Sequence, residues 1–315
     1  MSPTRSLQTV LKFFQFTLGR GLSKVCGNAY ELRSAARIRE HRPLASQNGT
    51  AGVYSLPGER GQERRGELMT GNSEALRPKG IRWRRVVVKL SGEALIGAQS
   101  HGLDQVTLAR IAADLKDVAA RGVEVAVVVG GGNFFRGIEG ADKGIERARA
   151  DSIGMLATVM NALALEYAIE KQGQAARTMS ALAMPALCEA YSRQAALHHL
   201  GKGRIVVLAG GTGNPFFTTD TGAALRGAEL SCDLIMKATQ VDGVYSADPK
   251  RDPQATRYDR LTHDQAIARN LAVMDTAAFA LARENGIPII VFSIKQPGAI
   301  LAALEGQGSA TLVSP

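Results

Sequence analysis

The chain has 315 residues, three cysteines and a formal net charge of +9 at pH 7, and 45% of its residues are hydrophobic. The cysteines lie far apart, with no CxxC pair and no metal-ligand spacing to the five histidines. This argues against a disulfide framework or a structural zinc site and favours a reducing, cytoplasmic location. No uninterrupted apolar run approaches the ~20 residues of a membrane span, so we expect no membrane partner.

The positive charge is concentrated near the N-terminus. Residues 1–80 contain 13 Lys/Arg, six Glu and no Asp, a net charge of +7, whereas residues 81–315 have a net charge of only +2. The nearly neutral remainder gives little support for nucleic-acid binding, and we expect no nucleic-acid partner.

Residues 1–80 have two interpretations. The first thirty residues contain no acidic side chain and could form a short basic amphipathic helix, a composition that resembles an organelle transit peptide. The alternative, which we favour, is a disordered basic extension or a translation start upstream of the true one, with Met69 as the candidate start. We therefore predict an extension over residues 1–80 and one folded domain over residues 81–315.

From residue 84 the sequence alternates between strand and helix patterns. "RVVVKL" (85–90) and "VEVAVVV" (123–129) are apolar runs typical of buried strands, and helical spacing of apolar residues between them ends at Gly122. A long helix is predicted from about Asp151 to Lys171, followed by strands over residues 204–209, 233–238 and 287–293. This order predicts a three-layer α/β/α sandwich with a mainly parallel central sheet.

Glycine-rich or polar loops follow four of the predicted strands, at residues 91–92, 130–137, 210–220 and 239–248. Ligands of such sheets bind at the carboxyl ends of the strands, and glycine lets backbone N–H groups approach phosphate oxygens. The absence of GxxxxGK[ST] excludes a P-loop kinase, and the absence of GxGxxG argues against a Rossmann dinucleotide site.

Charged residues at these loops point to phosphoryl transfer. Lys89, Arg136, Asp220 and Lys237 all fall at predicted strand ends or in the loops that follow. Catalysis of phosphoryl transfer depends mainly on positioning and on fixed positive charge near the phosphate oxygens. The alternative is that each lysine only ends its strand and has its side chain in solvent.

Four segments together resemble a known family. "VVVKLSGEAL" (86–95), "VVVGGGNFFRG" (127–137), "GTGNPFFTTD" (211–220) and "MKATQVDGVYSADP" (236–249) are similar to the amino acid kinase family. The resemblance runs from about residue 84 to residue 312. "GTGNPFFTTD" with "DSIGMLATVMN" (151–161) is narrower and resembles the bacterial-type uridylate kinases, which make UDP from UMP and ATP in pyrimidine nucleotide biosynthesis.

The resemblance implies a donor side for ATP and Mg²⁺, with the metal held mainly by nucleotide phosphates and not by protein ligands. It implies catalytic roles for Lys89, Arg136, Asp220 and Lys237. The residues that it places at ATP are Lys89, Leu90, Ser91, Gly92, Gly132, Arg136, Thr239, Tyr245 and Asp248.

The resemblance also implies an acceptor side for UMP, with Asp151 at the ribose hydroxyls. The residues that it places there are Gly131, Asp151, Thr212, Gly213, Asn214, Pro215, Phe216, Phe217, Thr218 and Thr219. Two alternatives remain open from the sequence: Asp151 is only a helix cap, and Phe216 and Phe217 belong to the core.

Regulation and assembly follow from the resemblance alone. It implies activation by GTP through the segment bounded by Gly97 and Gly102, inhibition by UTP, and a homohexamer built from dimers. The apolar helix over residues 153–169 is either an interface of that assembly or a fully buried core helix.

Two other functions remain possible. A different amino acid kinase would phosphorylate a carboxylate or carbamate, against which the "NPFFTTD" loop argues. A non-catalytic storage protein on the same fold would not need the four charged residues of the donor side.

Overall fold

The computed structural model describes residues 81–142, 144–249, 251–271 and 273–315, so the predicted N-terminal extension lies outside the described residues. The strands are β1 (Arg85–Leu90), β2 (Glu124–Val129), β3 (Ala176–Ser180), β4 (Glu189–Ala190), β5 (Ile205–Ala209), β6 (Leu234–Thr239), β7 (Val244–Tyr245), β8 (Arg257–Tyr258), β9 (Arg260–Thr262), β10 (Ile289–Ser293) and β11 (Ala310–Ser314). The helices are α1 (Gln105–Ala120), α2 (Gly137–Asp142), α3 (Arg147–Lys171), α4 (Arg193–Gly201), α5 (Thr219–Glu229), α6 (His263–Ala268), α7 (Thr276–Glu284) and α8 (Ala299–Leu304), with a 3₁₀ turn at Gly92–Leu95.

Nine of the strands form one sheet in the order β4-β3-β5-β2-β1-β6-β10-β11-β9. Every neighbouring pair is parallel except β10 and β11. The prediction of a mainly parallel sheet is therefore confirmed. β7 and β8 form a separate antiparallel pair in the segment that follows β6.

Side chains alternate between the two faces of the sheet, and each face has its own hydrophobic core. Val86 and Val88 pack in the core under α1, α3 and α8, whereas Val87 packs in the core under α4 to α7. Because side chains two residues apart share a face, Lys89 lies on the same side of the sheet as Val87. This is the side covered by α5, the helix that contains Asp220.

Among the described residues, only α3 is long and apolar enough to cross a membrane by length and composition, with a mean hydropathy of 1.4. Its Leu165 and Ile169 are buried in the core under the sheet, which identifies it as a core helix. The alternative of a fully buried core helix is nevertheless wrong, because only 39% of its apolar 18-residue stretch is buried. One row of its apolar side chains is exposed: Ile153, Leu156, Met160 and Tyr167.

Candidate active site

Lys89 and Lys237 lie side by side at the carboxyl ends of the two central strands. They are register partners on β1 and β6, so their side chains leave the sheet on the same face. Their exposed fractions are only 7% and 9%. The alternative that these lysines are strand ends pointing into solvent is therefore wrong.

Asp220 bridges the two lysines from the first turn of α5. Its Oδ1 lies 2.9 Å from Nζ of Lys89 and its Oδ2 lies 2.5 Å from Nζ of Lys237. Burial acts to raise the pKa of Asp220, but the two neighbouring ammonium groups outweigh burial and hold that pKa below its ordinary value. The three side chains thus carry two positive charges and one negative charge, and the excess positive charge suits an arriving phosphate.

The same surroundings also lower the pKa of Lys237, but for a lysine a lower pKa disfavours the charged form. Burial and the nearby charge of Lys89 lower the pKa of Lys237, while Asp220 acts to raise it. Removal of the bridging carboxylate would leave two buried ammonium groups facing each other. Asp220 therefore offsets the repulsion between the two ammonium groups in this place.

The N-terminus of α5 is fixed by two further residues. The Oγ1 of Thr218 accepts hydrogen bonds from the backbone N–H groups of Asp220 and Thr221, so it caps the helix. Asp275, the N-cap of α7, in turn accepts hydrogen bonds from the hydroxyls of Thr218 and Thr221. Asp275 was not expected in the site from the sequence, and a capping residue gives no signal of this second contact.

A cavity of about 530 Å³ opens beside this cluster, at the carboxyl ends of β1, β2 and β5. The predicted site residues that line it are Lys89, Ser91, Gly92, Gly131, Gly132, Arg136, Asp151, Thr212, Asn214, Phe217, Thr218 and Thr219. The structure thus brings more than half of the residues predicted for each of the donor and acceptor sides together in one cavity. Sequence reasoning missed Glu93, Phe135, Arg147, Met155 and Thr158 among its lining residues.

The loop after β2 packs closely against α3 at Gly131. A Cβ atom on Gly131 would lie 2.6 Å from the carbonyl oxygen of Gly154, inside van der Waals contact. Only glycine fits at that position, and its backbone lines the cavity. Arg136, at the end of the same loop, has a half-exposed side chain on the rim and forms ion pairs with Glu93 and Glu139.

Asp151 lies inside α3, since the helix begins at Arg147 with Glu146 as its N-cap. The helix-cap alternative for Asp151 is therefore wrong. Its Oδ2 accepts hydrogen bonds from the backbone N–H of Phe216 and from Nε of Arg147, both at 2.8 Å. Arg147 could have been found in the sequence as an ion-pair partner four residues before Asp151 on one helix.

The two phenylalanines are outside the core. Phe216 is 65% exposed and Phe217 is 54% exposed, so the core alternative for them is wrong. Phe216 has a φ of 71°, which is unusual for a residue with a bulky side chain, and the hydrogen bond from its N–H to Asp151 holds it there.

Asp220 and Lys237 lie beside this cavity without lining it. The other predicted residues that do not line it, in the part of the chain that the structure describes, are Leu90, Gly97, Gly102, Gly213, Pro215, Phe216, Thr239, Tyr245 and Asp248. Leu90 is fully buried. Thr239 ends β6, two residues after Lys237, and Tyr245 belongs to the β7–β8 pair, where its hydroxyl donates to Asp242. Gly102 is joined to the loop after β2 by two hydrogen bonds with Asn133.

Comparison with known proteins identifies the family. The model of the amino acid kinase family matches residues 84–293. The chain belongs to this family. It is 63% identical over 236 residues to a uridylate kinase of Azorhizobium caulinodans, which covers 75% of this chain and 99% of that protein. It is 59% identical over 232 residues to a uridylate kinase of Nitrobacter hamburgensis, covering 74% of this chain and 98% of the relative.

Solved structures agree with the sequence relatives. The UMP kinase from Ureaplasma parvum has a TM-score of 0.71 and 36% identity, covering 75% of this chain and all of that chain. The UMP kinase from Bacillus anthracis has a TM-score of 0.71 and 37% identity, covering 74% of this chain and 96% of that one. The resemblance to uridylate kinases and the α/β fold expected from the sequence are both confirmed.

Proposed function

We propose that the chain is a UMP kinase that transfers the γ-phosphoryl group of ATP to UMP, giving UDP and ADP. The observation that carries the proposal is the bridge from Asp220 to Lys89 and Lys237, beside a cavity lined by residues of "GTGNPFFTTD". The relatives at about 60% identity are uridylate kinases. We place the reaction in pyrimidine nucleotide synthesis in the cytoplasm.

In this mechanism an oxygen of the UMP phosphate attacks the γ-phosphorus of ATP. The bond from that phosphorus to the bridging oxygen breaks, and ADP leaves with the electron pair. Lys89 and Lys237 offset the negative charge on the transferring group, and Asp220 holds both ammonium groups in place. Because the acceptor is already an anion, no side chain has to remove a proton.

The residues of this site fit a Mg²⁺ ion that is bound to the nucleotide phosphates and not to protein ligands. Both carboxylate oxygens of Asp220 face lysine ammonium groups. Among the described residues, no group of three or more His, Cys, Asp or Glu side chains is placed to hold a metal ion. We propose that Mg²⁺ is bound by the donor phosphates and offsets part of their charge.

The donor site extends from the glycine loops toward β6. We assign Lys89, Leu90, Ser91, Gly92, Gly132 and Arg136 to the ATP phosphates, and Thr239, Tyr245 and Asp248 to adenosine. The first group lies at the carboxyl ends of β1 and β2 and in the loops that follow, where backbone N–H groups can meet phosphate oxygens. The β7–β8 segment would then cover the base after ATP has bound.

The acceptor site lies across the cavity. We assign the ribose hydroxyls of UMP to Asp151, and the uracil and phosphate to Gly131 and to residues 212–219. Asp151 holds the acceptor loop through Phe216, so binding of the ribose and order in the loop are linked at one carboxylate. The exposed phenyl rings of Phe216 and Phe217 provide apolar surface to exclude water from bound nucleotide.

We further propose a homo-oligomer in which a second copy covers the exposed apolar row of α3, with the hexamer as the expected assembly. Ile153, Leu156, Met160 and Tyr167 present this row. Light scattering at micromolar concentration tests it: Met160→Glu should give smaller particles, and a monomeric wild type would contradict it.

We propose GTP as an activator and UTP as an inhibitor. The hydrogen bonds between Gly102 and Asn133 join the segment bounded by Gly97 and Gly102 to the loop after β2, which supports coupling of that segment to the ATP site. Initial rates with each nucleotide added at fixed substrate concentration test both effects, and an unchanged rate would contradict them.

The deciding experiment measures ADP release with Mg-ATP by the full chain and by residues 69–315, with UMP, CMP, dUMP, glutamate and carbamate as parallel acceptors. We expect strong preference for UMP and equal rates for the two forms, because we propose residues 81–315 as the complete catalytic unit. If none of the five acceptors causes ADP release, a storage protein would be favoured. Activity in the full chain alone would give the first 68 residues a catalytic role.

A further inference from the structure

The acceptor loop, residues 210–219, is held at its first two residues by side chains from other elements. Thr158 on α3 accepts a hydrogen bond at its Oγ1 from the backbone N–H of Gly210, at 2.7 Å. Arg226 on α5 donates from Nη2 to the carbonyl oxygen of Gly211, at 3.3 Å. Both side chains are buried, with Thr158 2% exposed and Arg226 5% exposed.

Arg226 is itself fixed on the side away from the loop. Its Nη1 donates to Glu229 at 2.6 Å, and its guanidinium lies 3.8 Å from the ring centroid of Tyr191. The Tyr191 hydroxyl donates to the same Glu229 oxygen, also at 2.6 Å. A buried guanidinium needs such partners to offset its desolvation. With those partners in place, the planar fork leaves Nη2 directed at the loop.

The residues held in this way stand at the start of the part of the loop that lines the cavity. Gly211, the second residue of the anchored pair, lines the cavity, and Thr212 and Asn214 line it directly afterwards. The mechanism given above uses neither Thr158 nor Arg226. A shift of the Gly210–Gly211 backbone would move the cavity-lining residues that directly follow, whereas the backbone of the donor lysines belongs to β1 and β6.

We infer that Thr158 and Arg226 are positioning residues for the acceptor nucleotide: together they anchor the Gly210–Gly211 backbone in the geometry that binds UMP. This inference rests on the proposed UMP kinase activity. The two anchors contact the loop and not the lysine cluster formed by Lys89, Lys237 and Asp220. They should therefore affect the affinity for UMP and not the chemical step. Loss of either anchor should therefore weaken UMP binding and leave ATP binding unchanged.

The test uses the full-length chain with Arg226→Lys and Thr158→Val. Lysine keeps the charge without the fork, and valine keeps the shape of threonine without the hydroxyl acceptor. We expect the KM for UMP to rise about fivefold to twentyfold, the scale of one lost hydrogen bond. The kcat and the KM for ATP should stay within about twofold. The rise in Tm that UMP produces should shrink, and the rise that ATP produces should persist.

Tyr191→Phe is the matched control. It removes the hydroxyl that donates to Glu229 but leaves the ring under Arg226 and the bond from Arg226 to Gly211. It should lower Tm without a change in the KM for UMP. An equal rise in the KM for UMP in this variant would show general destabilisation and overturn the inference. Unchanged KM for UMP in both anchor variants would also overturn it.

A variant that does not fold and a wild type that is inactive have different consequences. If Arg226→Lys does not fold, the near-isosteric Thr158→Val decides the question alone. If the wild-type chain itself releases no ADP with UMP, the proposed function has failed. If the wild type is active but neither anchor variant changes the KM for UMP, only the positioning role is contradicted.

Discussion

The lysine cluster and the acceptor loop lie at the same edge of the sheet, but they are built differently. Lys89 and Lys237 project from paired positions on central strands and are almost completely buried. Phe216 and Phe217 are more than half exposed, and the backbone of Phe216 is in the left-handed region. The first region is fixed by the sheet, and the second is fixed by a few hydrogen bonds to neighbouring helices.

The difference corresponds to two separate requirements. Charges that stabilise a transition state act most strongly when they are buried and already in place. A loop that surrounds a nucleotide has to admit it first, so it needs exposed surface and weaker restraints. Catalytic rate should therefore depend on the cluster, and acceptor affinity should depend on the loop.

The largest effect should come from the cluster. Lys89→Ala or Asp220→Asn should lower kcat at least about a hundredfold, the scale of losing one charge stabiliser. Steady-state assays at saturating UMP and ATP measure this. Lys202→Ala, which removes an exposed lysine on the surface, should leave kcat unchanged. Near-normal turnover in both cluster variants would remove the basis of the mechanism.

A smaller effect is expected on the acceptor side. Asp151→Asn should raise the KM for UMP roughly tenfold, because it weakens the proposed contact to ribose and the hydrogen bond that holds Phe216. The KM for ATP should change little. Asp142→Asn, at an exposed carboxylate, is the control. An effect confined to the KM for ATP would mean that the two nucleotide sites are reversed.

Loop geometry should appear in stability measurements. Gly213 has a φ of 82°, so Gly213→Ala should lower the free energy of unfolding by about 1–2 kcal/mol and raise the KM for UMP. No atom of the described residues lies within 4 Å of a Cβ added to Gly201, at the end of α4, and Gly201→Ala should stabilise the fold by a few tenths of a kcal/mol. Urea unfolding compares them, and equal changes would contradict a strained loop.

The last prediction concerns acid. The pKa of Asp220 in the folded chain lies below its ordinary value of 3.8, so its ionised form adds stability above that pH, and this contribution is lost as the pH falls further. The difference in unfolding free energy between wild type and Asp220→Asn should narrow as the pH falls below about 4, because Asp220 is then protonated.

Much of the fold could be predicted because its signals are local. The strand β1 has the predicted bounds. The predicted strands at β2, β5 and β10 differ from the observed ones by one or two residues at one end, and β6 is shifted by one residue at both ends. The long helix α3 was less accurate, since it begins at Arg147 instead of about Asp151. Its four extra residues are not apolar in a helical pattern, so periodicity could not detect them.

Twelve of the predicted site residues line the cavity, but the sequence did not predict their contacts. Lys89, Lys237 and Asp220 were predicted because phosphoryl transfer needs charged groups beside glycine loops, and the resemblance to the amino acid kinase family supplied their roles. Arg226 and Asp275 gave no comparable signal, since a helical arginine and a helix cap are ordinary surface features in a sequence. Their partners, Gly211 and Thr218, lie 15 and 57 residues away in the chain.

The sequence by itself determined the alternation of strands and helices, the glycine-rich strand ends and the charged residues that chemistry at phosphate requires. These depend on residue type and on spacing along the chain. The tertiary structure alone decided that Lys89 and Lys237 are neighbours, that Asp220 bridges them, and that Asp151 holds the backbone of Phe216. Such contacts depend on strand order and register, which bring together residues that are distant in sequence.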